Sequence, residues 1–430
     1  MPAHLPAQRI AVIDGLRGVA IISVLCFHIS LFAIAPGDSP WERMFHGFTH
    51  LGWAGVDLFF VLSGFLITGI LAKTLQREDY YRSFYFRRTV RIFPLYYLSL
   101  AIFFCLVPAA FSLWHRAGEI PAFTKPPSQA FAWFYLLNWR IGLCSFLSVP
   151  GGLSHLWSLS IEEQFYFVWP FVMRMLTPRK LVATCAALLV TSLASRVVLF
   201  KLHLPDAAYA WTFCRFDSLA VGAVLALCFR DRRHWRVVSK VALPVTVIAL
   251  GTVAVLCSLQ RSVSYADVWM GTGGITAWSI FFGGLLVIAL NAGESNIVSR
   301  ILSSPSLRFC GRYSYCMYVC HQPLILALVR VGVNSANLTR ILGSKILAVL
   351  SIYVVVFALV ILISLTSWRL FEKHFLKLKE LFPVGVPQGW PARTSSQVAS
   401  VENVQPEFAG AGLVRERDNA PLRMVAGRWR

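Results

Sequence analysis

The sequence predicts an all-α, polytopic integral membrane protein with about ten transmembrane helices and both termini in the cytoplasm. Three observations carry that expectation. Of the 430 residues, 57% are hydrophobic and 14% charged, where a soluble domain holds roughly a quarter charged residues. Apolar runs near 20 residues recur along the chain, each long enough to cross a hydrocarbon core of ~30 Å as a helix. Lysine and arginine collect in connections that fall on one side of such an arrangement.

Taken in order, the first span covers 10–34 and contains Asp14, Arg17 and His28. The second, 51–73, carries Asp57 just inside its start and glycines at 52, 55, 64 and 69, whose small size suits close helix packing. The third, 91–113, opens on Arg87, Arg88 and Arg91. The fourth, 153–176, is polar in its first half, and the fifth covers 180–200. The sixth, 213–230, begins at Arg215 and Asp217; the seventh and eighth are 240–260 and 269–291. The ninth, 313–333, is interrupted by polar residues that mark a broken or tilted helix, and the tenth is 345–370.

The net charge is +20, from 40 Lys and Arg against 20 Asp and Glu. The cations cluster in 73–91, 230–240 and 369–379, which ten spans place on the side of the N-terminus; 35–50 and 201–212 on the other side are poor in them. The excess is a topology signal, and nucleic acid is excluded as a partner. Ten cysteines are scattered singly, several inside apolar spans, where a thiol behaves as a small hydrophobe. Neither a disulfide framework nor a metal site is expected. His46 and His50 have helical i, i+4 spacing without the Glu between them that a zinc helix carries, and read as loop histidines. Ala33-Ile34-Ala35 imitates a signal-peptide cleavage site, but Pro36 would then lead the mature chain, so the first span is expected to be retained. Residues 1–380 form the membrane domain, and 381–430, rich in Pro, Gly, Ser and mixed charge, reads as a flexible cytoplasmic tail. No internal repeat of the transporter kind is visible.

Ionisable residues inside spans are costly and functional by default. Arg17 and His28 are eleven residues apart, which on a helix means ~20° of rotation and ~16 Å of rise. They share one stripe at two depths, Arg17 toward the inner face and His28 toward the outer, with Asp14 able to pair with Arg17 at i, i+3. Snorkelling and a carbonyl bond would account for each alone; together they suggest a path through the bundle. Asp57 requires an Arg, a His or water nearby. Arg87 and Arg91 face one way at the inner mouth, and two readings stand: the topology signal, or guanidinium forks for phosphate groups. In "HLWSLSIEEQFYFVWP" a helical phase puts His155, Glu162 and Tyr166 on one line, and of the adjacent carboxylates Glu162 and Glu163 at most one faces a given site.

Seven segments, in this order, resemble the signatures of the acyltransferase 3 family: "IDGLRGVAIISVLCFH", "GVDLFFVLSGFLIT", "RRTVRIFPLYYL", "HLWSLSIEEQFYFVWP", "RFDSLAVGAVLA", "GRYSYCMYVCHQPL" and "SWRLFEKHF". Members are bacterial integral-membrane O-acyltransferases of about ten spans, and the resemblance runs from about residue 10 to 376. It implies an enzyme of the bacterial cytoplasmic (inner) membrane. Such an enzyme moves an acyl group, usually acetyl, from cytoplasmic acyl-CoA to a hydroxyl of a cell-surface or lipid-linked glycan. Carried over by motif, the family's first-span Arg and His fall on Arg17 and His28, its inner-mouth arginines on Arg87, Arg88 and Arg91, and its acidic residue on Glu162. The arginines would hold the CoA phosphates. His28 would either deprotonate the acceptor or take the acyl group itself, with Glu162 orienting it and Asp57 pairing with Arg17. His155, Arg215 and Asp217 join Asp57 as candidates for binding the substrate. Cys316, Met317, Val319 and Cys320 depart from the family's ninth-span pattern, while His321 and Pro323 keep it. No fused esterase-like domain is expected, so any second transfer outside would need a partner. A flippase for a lipid-linked sugar or acid, and acylation of a small glycosylated metabolite, are the alternative functions.

Overall fold

In the computed structural model the described residues are 7–37, 39–106, 109, 128–149, 152–293 and 295–381. The tail expected at 381–430 therefore lies, apart from its first residue, outside them. No strand occurs among the described residues. The long helices are α1 (Ala7–Ala33), α2 (Pro40–His50), α3 (Gly55–Thr74), α4 (Tyr80–Ala101), α5 (Trp157–Met175) and α6 (Pro178–Lys201). They continue with α7 (Phe216–Arg230), α8 (Arg232–Gln260), α9 (Ile275–Asn291), α10 (Pro305–Arg330), α11 (Ser335–Leu342) and α12 (Lys345–Ser367).

Their ends follow local chemistry. The Thr177 hydroxyl accepts from the Lys180 amide ahead of Pro178 at the start of α6, and Asp231 accepts from the Arg233 amide at 2.7 Å to start α8. Gly343, at φ +69°, closes α11, the left-handed conformation in which a side chain is strained.

Each of the ten apolar runs meets a helix. Among the described residues, seven helical stretches are long and apolar enough to cross a membrane, and α10 with α11, bent by 53°, makes an eighth. Two expected spans fall short for physical reasons. With 15 residues, α7 is only ~22 Å long, and α5 carries Glu162, Glu163 and Arg174. The most enclosed helices are α3 and α9, whereas α6, α8 and α12 face outward over most of their surface. Leu243, Val247 and Ile248 on α8 are exposed, the surface that hydrocarbon, not water, would cover.

Two tight crossings set the core. Along α1 runs α10, and a Cβ added at Gly311 would lie 1.8 Å from the Asp14 carbonyl oxygen, one added at Gly18 2.1 Å from that of Leu307. Likewise α3 crosses α7 where a Cβ at Gly64 would lie 2.1 Å from the Leu219 oxygen. The packing expected of glycines 52, 55 and 64 is present; Gly69 has open space. Because the obstacle at Gly311 is backbone, Gly311→Ala is expected to force α1 and α10 apart and destabilise the protein by about 1–3 kcal/mol. Thermal unfolding in detergent, followed by tryptophan fluorescence, would register the loss.

Candidate active site

The α1–α10 crossing brings two polar stripes together. On α1 they are Arg17 and His28; on α10, Ser314 and, two turns on, His321. Arg17 donates from Nη2 to Ser314 Oγ at 2.9 Å and pairs with Asp14 at 3.6 Å. Eleven residues along, His28 Nδ1 lies 2.9 Å from the Val24 carbonyl oxygen and 3.2 Å from His321 Nε2. The shared stripe expected from spacing is thus a seam between two helices, lined on both sides.

The partners fix the protons. A carbonyl oxygen only accepts, so His321 Nδ1, 2.6 Å from the Tyr318 oxygen, carries its hydrogen and Nε2 keeps a lone pair. His28 Nδ1 then donates, shared between Val24 and His321, and leaves His28 Nε2 as a lone pair without a partner among the described residues. His28 lines a cavity of about 420 Å³, together with His155, Ser154, Gln322, Tyr318 and an aromatic group that includes Trp53, Trp157 and Tyr209. His155 packs edge-on to His321 with ring centroids 4.8 Å apart, as His28 does. The result is an imidazole on the cavity lining that keeps one nitrogen lone pair, the disposition of a general base.

At the other end of the seam the charges gather. Arg17 lies near enough to Arg91, Glu162 and Tyr166 for their charges to act on it, and Arg88 to Glu162 and Glu163. Arg88 stacks over Tyr166 with its Cζ 5.2 Å from the ring centroid. Arg91 is exposed and Arg87 half-buried. A fourth cation that spacing did not suggest joins them: Lys379, in the turn Leu378–Leu381. Partial burial and the neighbouring Arg91, Arg87 and Arg88 push its ammonium down to about 8. The mouth is a concentration of positive charge gathered from α1, α4 and the chain after α12.

Two expected pairings are corrected. Glu162 accepts from Ser63 Oγ at 2.6 Å and from Tyr166 OH at 3.0 Å; it belongs to the cationic end and makes no contact with His28 among the described residues. His321 holds His28 instead. The reason is that α5 begins only at Trp157. His155, in the preceding 3-10 turn Ser154–Leu156, is off the Glu162–Tyr166 line that a continuous helix would have given it. Asp57 pairs not with Arg17 but with Arg215, at 2.6 Å, and accepts from Ser218 Oγ at 2.8 Å. Asp217 pairs with Arg196 at 2.8 Å and accepts from Thr276 Oγ1 at 2.9 Å.

All four of these ion-pair side chains are fully buried, and they tie α3, α6, α7 and α9 behind the cavity wall. Asp57, Arg215 and Asp217 therefore do not line the cavity; His155 does. Arg215 is one layer back, its Cζ 4.9 Å from the Tyr209 centroid and 5.8 Å from that of Trp157. His321, named from the sequence only as a kept family position, forms a stripe with Tyr318 and Ser314, which sequence reasoning passed over. Their i, i+4, i+7 polar spacing within an apolar helix was the available signal.

A membrane helical bundle holding a buried imidazole at the end of a polar seam defines the class, and sequence comparison agrees with it. The acyltransferase domain model matches residues 10–369, and the chain belongs to that family, acyltransferase 3. The O-acetyltransferase OatA of Staphylococcus aureus is 29% identical over 346 residues, 76% of this chain and 51% of that protein. The peptidoglycan O-acetyltransferase OatA of Listeria monocytogenes is 30% identical over 328 residues, 73% of this chain and 49% of that one. The putative peptidoglycan O-acetyltransferase YrhL of Bacillus subtilis is 31% identical over 337 residues, 73% and 48%. The chain spans about half the length of these curated relatives. No solved structure matches it.

Proposed function

We propose that this chain is an O-acyltransferase of the bacterial cytoplasmic membrane, with about ten crossings and both termini in the cytoplasm. It would move acetyl from cytoplasmic acetyl-CoA to a hydroxyl of a cell-surface or lipid-linked glycan. The observation that carries this reading is the seam itself: cations at one end, an imidazole on the lining of a cavity at the other. The O-acetylating relatives support the acyl group and the glycan acceptor. Arg87, Arg88, Arg91 and Lys379 hold the donor's phosphates, a task for clustered fixed cations. The thiol arm lies along Arg17 and Ser314 and presents the thioester to His28.

His28 Nε2 takes the proton of the acceptor hydroxyl as that oxygen bonds to the thioester carbonyl carbon. The carbon–sulfur bond breaks, and the departing thiolate receives the proton back from His28. An ester and free CoA result, with no net proton change. Labelled acetyl-CoA offered to inside-out membrane vesicles is expected to label glycan. Sugar translocation without label would replace the enzyme by a flippase.

Two further outcomes test the cationic mouth. Arg91→Ala is expected to raise the donor KM by ~10-fold or more, the worth of a charge-assisted contact, and to leave the acceptor KM unchanged. An unaltered donor KM would return Arg91 to the topology signal. Lys379, at about 8, is charged below that pH and neutral above it. Donor kcat/KM, which reports the free enzyme, is accordingly expected to fall as pH rises through 8, and Lys379→Arg to abolish the fall.

A further inference from the structure

A single proline accounts for the way His28, His155 and His321 come together. A helical amide donates to the carbonyl four residues before it, and Pro323, inside α10, has no amide to donate. The carbonyl that it leaves is that of Val319, and His155 takes it: Nε2 lies 3.3 Å from the Val319 oxygen. A carbonyl only accepts, so that nitrogen carries the hydrogen. His155 is 2% exposed, and its Nδ1 is buried without a hydrogen-bond partner. Neither ring nitrogen is therefore offered to a ligand in the cavity. A buried polar atom without a partner carries a cost that an apolar side chain would avoid. The reason for an imidazole here lies in the nitrogen that is bonded.

That bond is one of several that pin the 3-10 turn Ser154–Leu156 to α10. The Tyr318 hydroxyl donates to the His155 carbonyl and accepts from Ser158 Oγ at 2.6 Å. Gln322 Nε2 donates to Ser154 Oγ at 2.7 Å. The His155 ring fixed in this way packs edge-on to His321, with centroids 4.8 Å apart. His321 is fully buried and packs in the same manner against His28, its Nε2 3.2 Å from His28 Nδ1. Support runs from Pro323 through Val319 and His155 to His321, and from there to the proton on His28.

We propose that His155 is a positioning residue for His28, acting through His321, and that Pro323 serves it by keeping the Val319 carbonyl out of the α10 ladder. This rests on the acyl-transfer reading above and deepens it: the base is set by three packed rings, of which the farthest takes no part in the chemistry. With His155 loosened, His321 is free to tilt, and a reacting group misplaced by about 1 Å can cost ~10²-fold in rate. On that reading the donor's phosphates are held elsewhere, so kcat is the parameter that moves.

The test uses labelled acetyl-CoA in inside-out membrane vesicles, with rates normalised to the amount of protein. His155→Phe is expected to lower kcat by ~10-fold or more, to leave the donor KM unchanged and to shift the pH–rate profile. His155→Gln, whose side-chain amide can reach the same carbonyl, should recover most of the loss. In Pro323→Ala the new backbone amide claims the Val319 carbonyl, so kcat should fall as it does in His155→Phe. The double variant should then be no slower than either single one, where independent effects would multiply. Unaltered kcat in His155→Phe, no rescue by His155→Gln, or multiplied losses in the double variant would each overturn the proposal. If one single variant fails to accumulate, the other must still show the lower kcat and the shifted profile, or the proposal falls. A wild-type chain without acetyl transfer would sink the enzyme reading instead. Thermal unfolding of the same variants in detergent would then test the Pro323–His155 coupling alone: non-additive shifts in Tm would keep it, and additive shifts would remove it.

Discussion

Replacing His28 with alanine is expected to lower acetyl transfer by ~10²–10⁴-fold, the range contributed by a positioned general base, while the protein accumulates in the membrane as before. The reasons are geometric. The His28 ring already borders a cavity, so truncation enlarges an existing space and leaves the tight crossing at Gly18 and Gly311 untouched. Its hydrogen-bond partners are the Val24 carbonyl, which keeps its helical role, and His321 Nε2, which can turn to water. The cations proposed to hold the donor stand at the far end of the seam, so on that reading the donor KM should hold while kcat falls. A variant that kept wild-type kcat would remove His28 from the chemistry. His321→Ala is expected to give a smaller loss with a shifted pH–rate profile, because it frees the tautomer of His28 without deleting the base. An equal loss with an unshifted profile would mean that His321 matters only for packing.

The sequence carries the architecture at the level of helices, since each apolar run became one, and it carries the Arg17–His28 stripe, because eleven-residue spacing is a property of one helix. It could not carry what depends on two. His321 and Ser314 meet α1 across some 300 residues of chain, and Asp57 meets Arg215 across 158. A carboxylate in an apolar run shows that a cation must come to it, not which one, so Arg17, the nearer in the chain, was the wrong choice. Glu162 failed for a different reason. Treating 153–176 as one continuous helix put His155 and Glu162 on a shared line, and the 3-10 turn before Trp157 broke the phase. Lys379 was hidden as a topology cation among others, and only the packing of the last turn beside α4 distinguishes it.

Asp57→Ala is expected to destabilise the protein by about 3–5 kcal/mol, the cost of stranding one member of a buried ion pair. Arg215 would keep its charge in a site with no exposure to solvent, packed between Phe60, Trp157 and Tyr209, and Asp217, the other carboxylate whose charge reaches it, is already paired with Arg196. Ser218 Oγ would lose its acceptor as well, leaving its contact with Ser279 at 2.6 Å as its remaining bond. Removing the whole pair has a different cost. Asp57→Leu with Arg215→Met exchanges two desolvated charges for apolar volume, which in buried pairs is often neutral or stabilising, and should recover most of the loss. Thermal unfolding in detergent would separate the cases: low stability for Asp57→Ala, near wild-type for the double variant. If the single variant were as stable as wild type yet bound sugar poorly, the pair would not be structural, and Asp57 would return to the substrate side of the cavity wall. Since Tyr209 and Trp157 rest on Arg215, the double variant also asks whether the aromatic face of the cavity needs a cation beneath it or only a filled space.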